Sequence, residues 1–343
     1  MVCMVCRKAD PSLAQARGLL ATAFGLSTAM SAERSCGNAS GALYIARHSH
    51  CPGEQWHDLV ARLPQPPTHG ELHFVNIGAN KGYNLVAFNQ RYSTAQPVSF
   101  RLWHQLLMRN DSYTPMCQAQ CCGVCNTCSA RDRGPSGPRD DAPTVRMHAL
   151  EAAPVNAAIL RRAVRVSGLP ATVHAIGVSD SAAPLFASAD TVPGYETSSV
   201  SLTRGTPIRT TTGDNFFRTA GIAHAYMVTI DTEGWDGRVL AGMRQVLEAK
   251  RVDLLEFEYS VHWRKHGQAF SLKATLDWLL QAGYRCFWQG WAFNGLLAPA
   301  SGPCWQDEFA ALHPMSWGKL ICSHRPAKVA GCDECYALIQ AGT

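Results

Sequence analysis

The chain has 343 residues, 46% of them hydrophobic and 17% charged, with a formal net charge of +5. That is ordinary globular composition, enough for one large α/β domain with decorations or for two small domains. The Lys and Arg residues are spread along the chain, which argues against a nucleic-acid partner, and the absence of any run of 18 apolar residues argues against a spanning helix.

Residues 1–70 show little periodicity and read as an N-terminal leader or extension. Within them "RGLLATAFGLSTAMSA" (17–32) is similar to a weak signal peptide, with basic residues before a short apolar core and small residues at its end. A plain helix or a disordered leader is the other reading. The sequons Asn38-Ala39-Ser40 and Asn110-Asp111-Ser112 suit a secretory route, so the compartment stays open between cytoplasm and secretory pathway. Fourteen cysteines, an even count, do not settle it.

"RLPQPPTHG" (62–70) is a proline-rich breaker, and the ordered domain is expected over 71–325, with a tail at 326–343. "ELHFVNI" (71–77) reads as a buried strand and 80–90 as a helix. From 92 to 143 the rhythm breaks. This span holds "CQAQCCGVCNTC" and then a polar stretch rich in Pro and Gly, so it reads as a cysteine-rich insertion with disorder near 129–142. The rhythm resumes with a strand at 144–151, a helix ending at Gly168 and a strand at 171–179. Short β-like pieces over 181–212 and a short helix at 213–221 follow. A strand at 225–230, one amphipathic helix over 236–250, a strand at 252–260, a helix at 272–283 and strands at 284–290 and 317–324 complete the domain. Strands alternating with helices of this length predict an α/β fold with a mostly parallel, doubly wound sheet.

In such a sheet the ligand sits at the carboxyl ends of the strands, near the switch point. The residues ending each strand are therefore the candidates. The first strand runs into the turn Gly78-Ala-Asn80-Lys-Gly82, whose glycines allow a backbone to approach a nucleotide-type ligand closely. The second strand ends in Glu151, the third in Ser179-Asp180 and the fourth in Asp231-Thr-Glu233-Gly234, while the fifth contains Glu256 and Glu258. Glu151 suits a ribose clamp. The usual spacing puts that acid about 20 residues beyond the glycine loop, and an insertion accounts for its later position here. This pattern alone does not separate a dinucleotide from S-adenosylmethionine.

"FVNIGANKGYN" (74–84), "MHALEAAPVNAAILRRAVRVSGL" (147–169), "VHAIGVSD" (173–180) and "VTIDTEGWDGRVLAGMRQVLEAKRVDLLEFEYS" (228–260) resemble, in order, the FkbM-type methyltransferase family. Ile230-Asp231-Thr-Glu233-Gly234 is the strongest single match. Two motifs depart from the family pattern: Asn76 stands where an Asp is usual, and Glu151-Ala-Ala-Pro replaces Glu-Pro-Asn-Pro. The resemblance implies a class I, Rossmann-like fold and methyl transfer from S-adenosylmethionine to an oxygen of a small molecule or glycan. It implies cofactor contacts from Asn76, Gly78, Asn80, Gly82, Tyr83, Glu151, Asp180 and Asp231. Glu233 is the first candidate for the base; Asp231, an alternative base or acceptor clamp, is read first as a cofactor or structural residue, and His262 is the second base candidate. A non-catalytic binding module and a nicotinamide-dependent oxidoreductase are the rival readings.

Two further groups call for attention. Trp235, Trp263, Trp288, Trp291 and Trp305 crowd the C-terminal half, as an acceptor pocket or as core. Cys122 and Cys125, with Cys332 and Cys335, form two Cys-x2-Cys pairs that could hold a structural zinc, with disulfides and free thiols as equal alternatives. The methyl acceptor and the oligomeric state are not legible.

Overall fold

The computed structural model describes residues 43, 46–47, 70–93, 98–108, 144–187, 200–260, 262–265, 271–289, 297–311 and 317–325. The signal-like segment, both sequons, Trp291, the polar stretch near 129–142 and the four cysteines proposed for zinc lie outside the described residues.

The chain runs through β1 (Glu71–Ile77), β2 (Thr144–Glu151) and β3 (Ala171–Ala175). Short strands β4 (Gly177–Val178), β5 (Leu185–Ala187), β6 (Val200–Ser201), β7 (Thr206–Ile208) and β8 (Thr210–Thr211) follow. The chain continues through β9 (Ala225–Ile230), β10 (Val252–Ser260), β11 (Arg285–Gln289), β12 (Leu297–Pro299) and β13 (Trp317–Ser323). Eight of these form one sheet in the order β12-β11-β13-β10-β9-β1-β2-β3. From β3 through β10 every pairing is parallel. β13 inserts antiparallel between β10 and β11, and β12 closes the edge antiparallel to β11. The central strands AYMVTI and VDLLEFEYS are buried along their whole length, as expected where helices cover both faces of a parallel sheet.

Strand alternation divides the core in two. Val75, Ile77, Val228, Ile230, Leu255 and Phe257 share one cluster with Phe217, Val239 and Leu276, which come from helices Gly213–Thr219, Asp236–Ala241 and Leu272–Gln281. Phe74, Met147, Met227 and Leu254 share the other with Leu85, Trp103 and Leu160, from helices Tyr83–Tyr92, Phe100–Met108 and Pro154–Ser167. The order of strands reverses between β1 and β9, so the switch point lies there. No described helix is long and apolar enough to cross a membrane.

Three expectations need correction. The span from residue 92 is not all outside the fold: Phe100–Met108 is an amphipathic helix whose Trp103 is 0% exposed and donates its indole N–H to the Lys81 carbonyl at 2.8 Å. The single helix expected over 236–250 is two, Asp236–Ala241 and Arg244–Glu248. At the break Gly242 packs close to Ser179, where an added Cβ would stand 2.0 Å from the carbonyl oxygen, so only glycine fits there. In addition, the Asp214 carboxylate accepts the N–H groups of Gln245 and Val246, which caps the second piece. The third strand also splits. β4 leaves the main sheet and pairs with β8, with Gly177 N–H donating to Arg209 and Ser179 N–H to Thr211.

Cys286 on β11 and Cys322 on β13, direct cross-strand neighbours, form a disulfide with Cα atoms 4.0 Å apart. Cys304 is also disulfide-bonded. Neither belongs to the cysteine set singled out in the sequence. Among the described residues no group of His, Cys, Asp or Glu could hold a metal ion.

Candidate active site

The site is built from register. On one sheet face Ala149, Asn76, Thr229, Glu256 and Ile321 are lateral neighbours on five adjacent strands. Two positions further along the parallel strands come Glu151, Gly78, Asp231 and Glu258, with Lys319 paired opposite Glu258. An apolar sheet thus carries two polar rows at its carboxyl edge.

The lower row is closed on itself. Asn76, buried, accepts the Thr229 hydroxyl at 3.0 Å. Gln289 donates its amide to Glu256 at 3.0 Å. Burial raises the Glu256 pKa against the pull of Lys319 and Gln289. Asn76, expected near a cofactor, holds the sheet together here through an uncharged hydrogen bond.

The upper row holds most of the candidate residues. After Ile77 the chain turns at Gly78, and the N–H groups of Gly78 and Ala79 both donate to the Leu150 carbonyl, at 2.9 and 3.1 Å. Asp231 N–H donates to the Ile77 carbonyl at 2.9 Å. The turn after β1 is therefore tied to the ends of both β2 and β9. Glu151 accepts Asn80 N–H through Oε2 and Ala153 N–H through Oε1, both at 2.8 Å, so one carboxylate joins the glycine turn to the start of the next helix. Burial raises its pKa, opposed by those hydrogen bonds. Gly82 ends the turn and caps helix Tyr83–Tyr92. Tyr83 lies in the core, its ring stacked on Phe100 and its hydroxyl 3.0 Å from His104 Nδ1.

Asp231, Glu233, Asp236, Glu256 and Glu258 surround one ammonium. Lys319 Nζ stands 2.6 Å from Asp231 Oδ2 and 3.4 Å from Glu258 Oε2. Burial opposes its charge, but Asp231, Glu258 and Glu256 raise its pKa well above the usual value. Burial and the charges of Asp231 and Glu258 push Glu233 up to about 10. Burial, then Asp231, push Asp236 to about 7, and the same two causes raise Glu258 well above the carboxylate range. Burial and mutual repulsion therefore favour the protonated forms of Glu233, Asp236 and Glu258.

The turn after β9 is constrained. Glu233 adopts φ 54 and Gly234 φ 98. An added Cβ on Gly234 would stand 2.4 Å from the His262 Cβ. His262, in the helix His262–Lys265, is thereby brought beside the Glu233–Gly234 turn, and its own N–H meets Ser260 Oγ at 3.3 Å. A non-glycine residue held at positive φ is a form of strain that recurs at functional sites. Asp236, 0% exposed, accepts the Thr232 hydroxyl at 2.9 Å and Glu258 N–H at 3.1 Å, which locks the turn onto β10.

Asp180 stands apart from this cluster. Its carboxylate accepts Arg238 at 2.8 Å and the Ser179 hydroxyl at 2.9 Å, and Arg238 lies over the Trp235 ring. Trp235, Trp263 and Trp288 are core residues, and Trp305 is half-buried with its indole N–H on Asp307.

Sequence reasoning missed Lys319 and Asp236. The signal for Lys319 was a lone Lys inside the apolar strand "WGKLICS", since a cation at the centre of a buried strand implies an acid beside it. The signal for Asp236 was an acid in the first turn of a helix.

The strand order and the acidic carboxyl edge define the class: an α/β protein with a large, mostly parallel central sheet, consistent with a methyltransferase fold. Comparison adds a likeness: residues 122–286 match the family model described as the methyltransferase FkbM domain. The span takes in Glu151, Asp180, Asp231, Glu233, Glu258 and His262, and leaves out the Gly78–Gly82 turn and Lys319. No curated protein matches the chain.

Proposed function

We propose that this protein is an S-adenosylmethionine-dependent methyltransferase, on a class I Rossmann-like fold, that methylates a hydroxyl oxygen of a small molecule or glycan. The observation that carries the reading is the convergence of the Gly78 turn, Glu151 and the Asp231–Glu233 turn at the switch point between β1 and β9, within a chain that matches the FkbM methyltransferase model.

The residues present fit that cofactor. The Glu151 carboxylate accepts the N–H groups of Asn80 and Ala153 and the Asn156 side chain, which fixes it at the end of β2, where a ribose diol would lie. The upper row holds more acids than cations, which suits a ligand positive at sulfur and at an amine. Bound there, S-adenosylmethionine would supply an electrophilic methyl group. The protein's part is to align the acceptor, exclude water and take a proton. Glu233 is our candidate for the proton acceptor, at its carboxylate oxygens; Asp231 would serve as clamp, and His262 beside the same turn is the second candidate for the base.

Titration calorimetry with S-adenosylmethionine and with NAD tests the reading. Binding of S-adenosylmethionine alone is expected; binding of NAD instead overturns it. Incubation of a host extract with the methyl-labelled cofactor then separates an enzyme, which labels an acceptor, from a binding module, which does not.

A further inference from the structure

Titratable groups from four elements come together here. They are Asp231 and Glu233 on the turn after β9, Asp236 at the start of its helix, Glu256 and Glu258 on β10, and Lys319 on β13. His262, on the helix after β10, lies beside the turn after β9. Among the described residues Lys319 is the cation that forms ion pairs with this set, at 7% exposure, and it lies outside the span of the family match. It spans two strands: Asp231 at 2.6 Å belongs to the end of β9, and Glu258 at 3.4 Å belongs to β10. The Thr232–Asp236–Glu258 hydrogen bonds fix the far side of the same turn.

We propose that Lys319 is a positioning residue for the proposed methyl transfer: its ammonium ties Asp231 to Glu258, and so holds the Asp231–Gly234 turn that presents Glu233 to the cleft. The role rests on the methyltransferase reading. Lys319 need not touch either substrate. It acts through Asp231 by geometry and through Glu233 by charge, because a nearby ammonium favours an ionised carboxyl. Without it, burial and the acidic neighbours act on Glu233 unopposed.

A cationic ligand enters such a cleft best once the acids have lost their protons, so the affinity of the whole protein for S-adenosylmethionine should rise with pH. Calorimetry across pH on the wild type, Lys319→Met and Lys319→Arg tests the role. In Lys319→Met the midpoint of that rise should move to higher pH by at least about one unit, and Lys319→Arg should restore it. A midpoint that stays in place, or an affinity weakened equally at every pH, overturns the proposal, because a merely structural lysine would behave that way. If Lys319→Met does not fold, Lys319→Gln serves instead: the midpoint should move to higher pH in the same way, and an unmoved midpoint overturns the proposal. A wild type that binds no S-adenosylmethionine at any pH sinks the methyltransferase reading and this role with it, a pattern distinct from an unshifted midpoint.

Discussion

A Cβ placed on Gly78 would stand 1.8 Å from the carbonyl oxygen of Asp231. The turn after β1 and the end of β9 meet backbone to backbone, with no room for a side chain between them. Gly78 also sits at φ 81, where an L-residue is strained. Gly168 provides the comparison, since it shares a positive φ of 71 but has nothing within 4 Å of an added Cβ. Gly168→Ala should cost about 1–2 kcal/mol, the conformational term alone. Gly78→Ala should cost clearly more and should abolish cofactor binding. Urea denaturation of the two variants checks this, and equal losses would refute the close contact.

Glu151 has two duties that one substitution separates. Glu151→Ala removes the acceptor for Asn80 and Ala153 N–H groups, which should lower stability by about 1–3 kcal/mol. If the carboxylate also clamps the ribose, affinity for S-adenosylmethionine should fall by a further 1.5–3 kcal/mol or so. Calorimetry at a temperature where the variant is folded distinguishes them. An unchanged dissociation constant would leave Glu151 as an anchor of the turn only.

Glu233 links stability and activity with opposite signs. Its pKa is about 10 in the folded protein against an ordinary 4.5, so between those values the folded state keeps a proton that the unfolded state has released. Stability therefore falls as pH rises through that window. Glu233→Gln, neutral at every pH, should melt higher than the wild type at pH 8, while turnover falls by about 10²- to 10⁴-fold if Glu233 is the base. Loss of acceptor affinity with turnover intact would make it a clamp. Unaltered kinetics would leave His262 as the base candidate.

Three histidines stack across β1, β2 and β3. His73 and His148 rings lie 5.6 Å apart, His148 and His174 5.7 Å, and the facing nitrogens are 3.3 and 3.4 Å apart. Phe216 closes on the rings of His148 and His174 edge-on. Burial, then the neighbouring histidines, lower the His148 pKa from 6.5 to about 4, and burial lowers His73 and His174. Between pH 6.5 and 4 the unfolded chain binds the proton that the stack refuses, so the contribution of His148 to stability is present above 6.5 and is lost as pH falls, at no more than about 1.4 kcal/mol per unit. Imidazole NMR titration should place the His148 midpoint near 4. A midpoint at 6.5 would mean that the stack is open to water.

Local pattern was enough for the strands and for the helices that carry their own end signals. β2, β9 and β10 begin and end where the apolar runs do. Helix Pro154–Ser167 starts on a proline and stops at Gly168 in the left-handed conformation, because these residues encode helix ends by backbone geometry alone. The acids of the cleft were legible for a related reason: in a doubly wound sheet the strand ends converge, so Glu151, Asp231 and Glu258 were marked by their positions alone.

Tertiary structure decided what depends on partners distant in sequence. The helix over 236–250 is interrupted at Gly242, which packs against Ser179, a contact that no periodicity within the helix records. Residues 100–108 pack Phe100, Trp103, Leu106 and Leu107 into the core, and tertiary structure decided that Trp103 meets the Lys81 carbonyl. Asn76 turned out to hold Thr229, and Cys286 met Cys322, through sheet register. Lys319 met Asp231 because β13 enters the sheet antiparallel between β10 and β11. Burial is a property of a short stretch and leaves its period in the sequence; pairing is a property of the closed sheet, and the sequence by itself determined which residues would be buried but not which charges would meet.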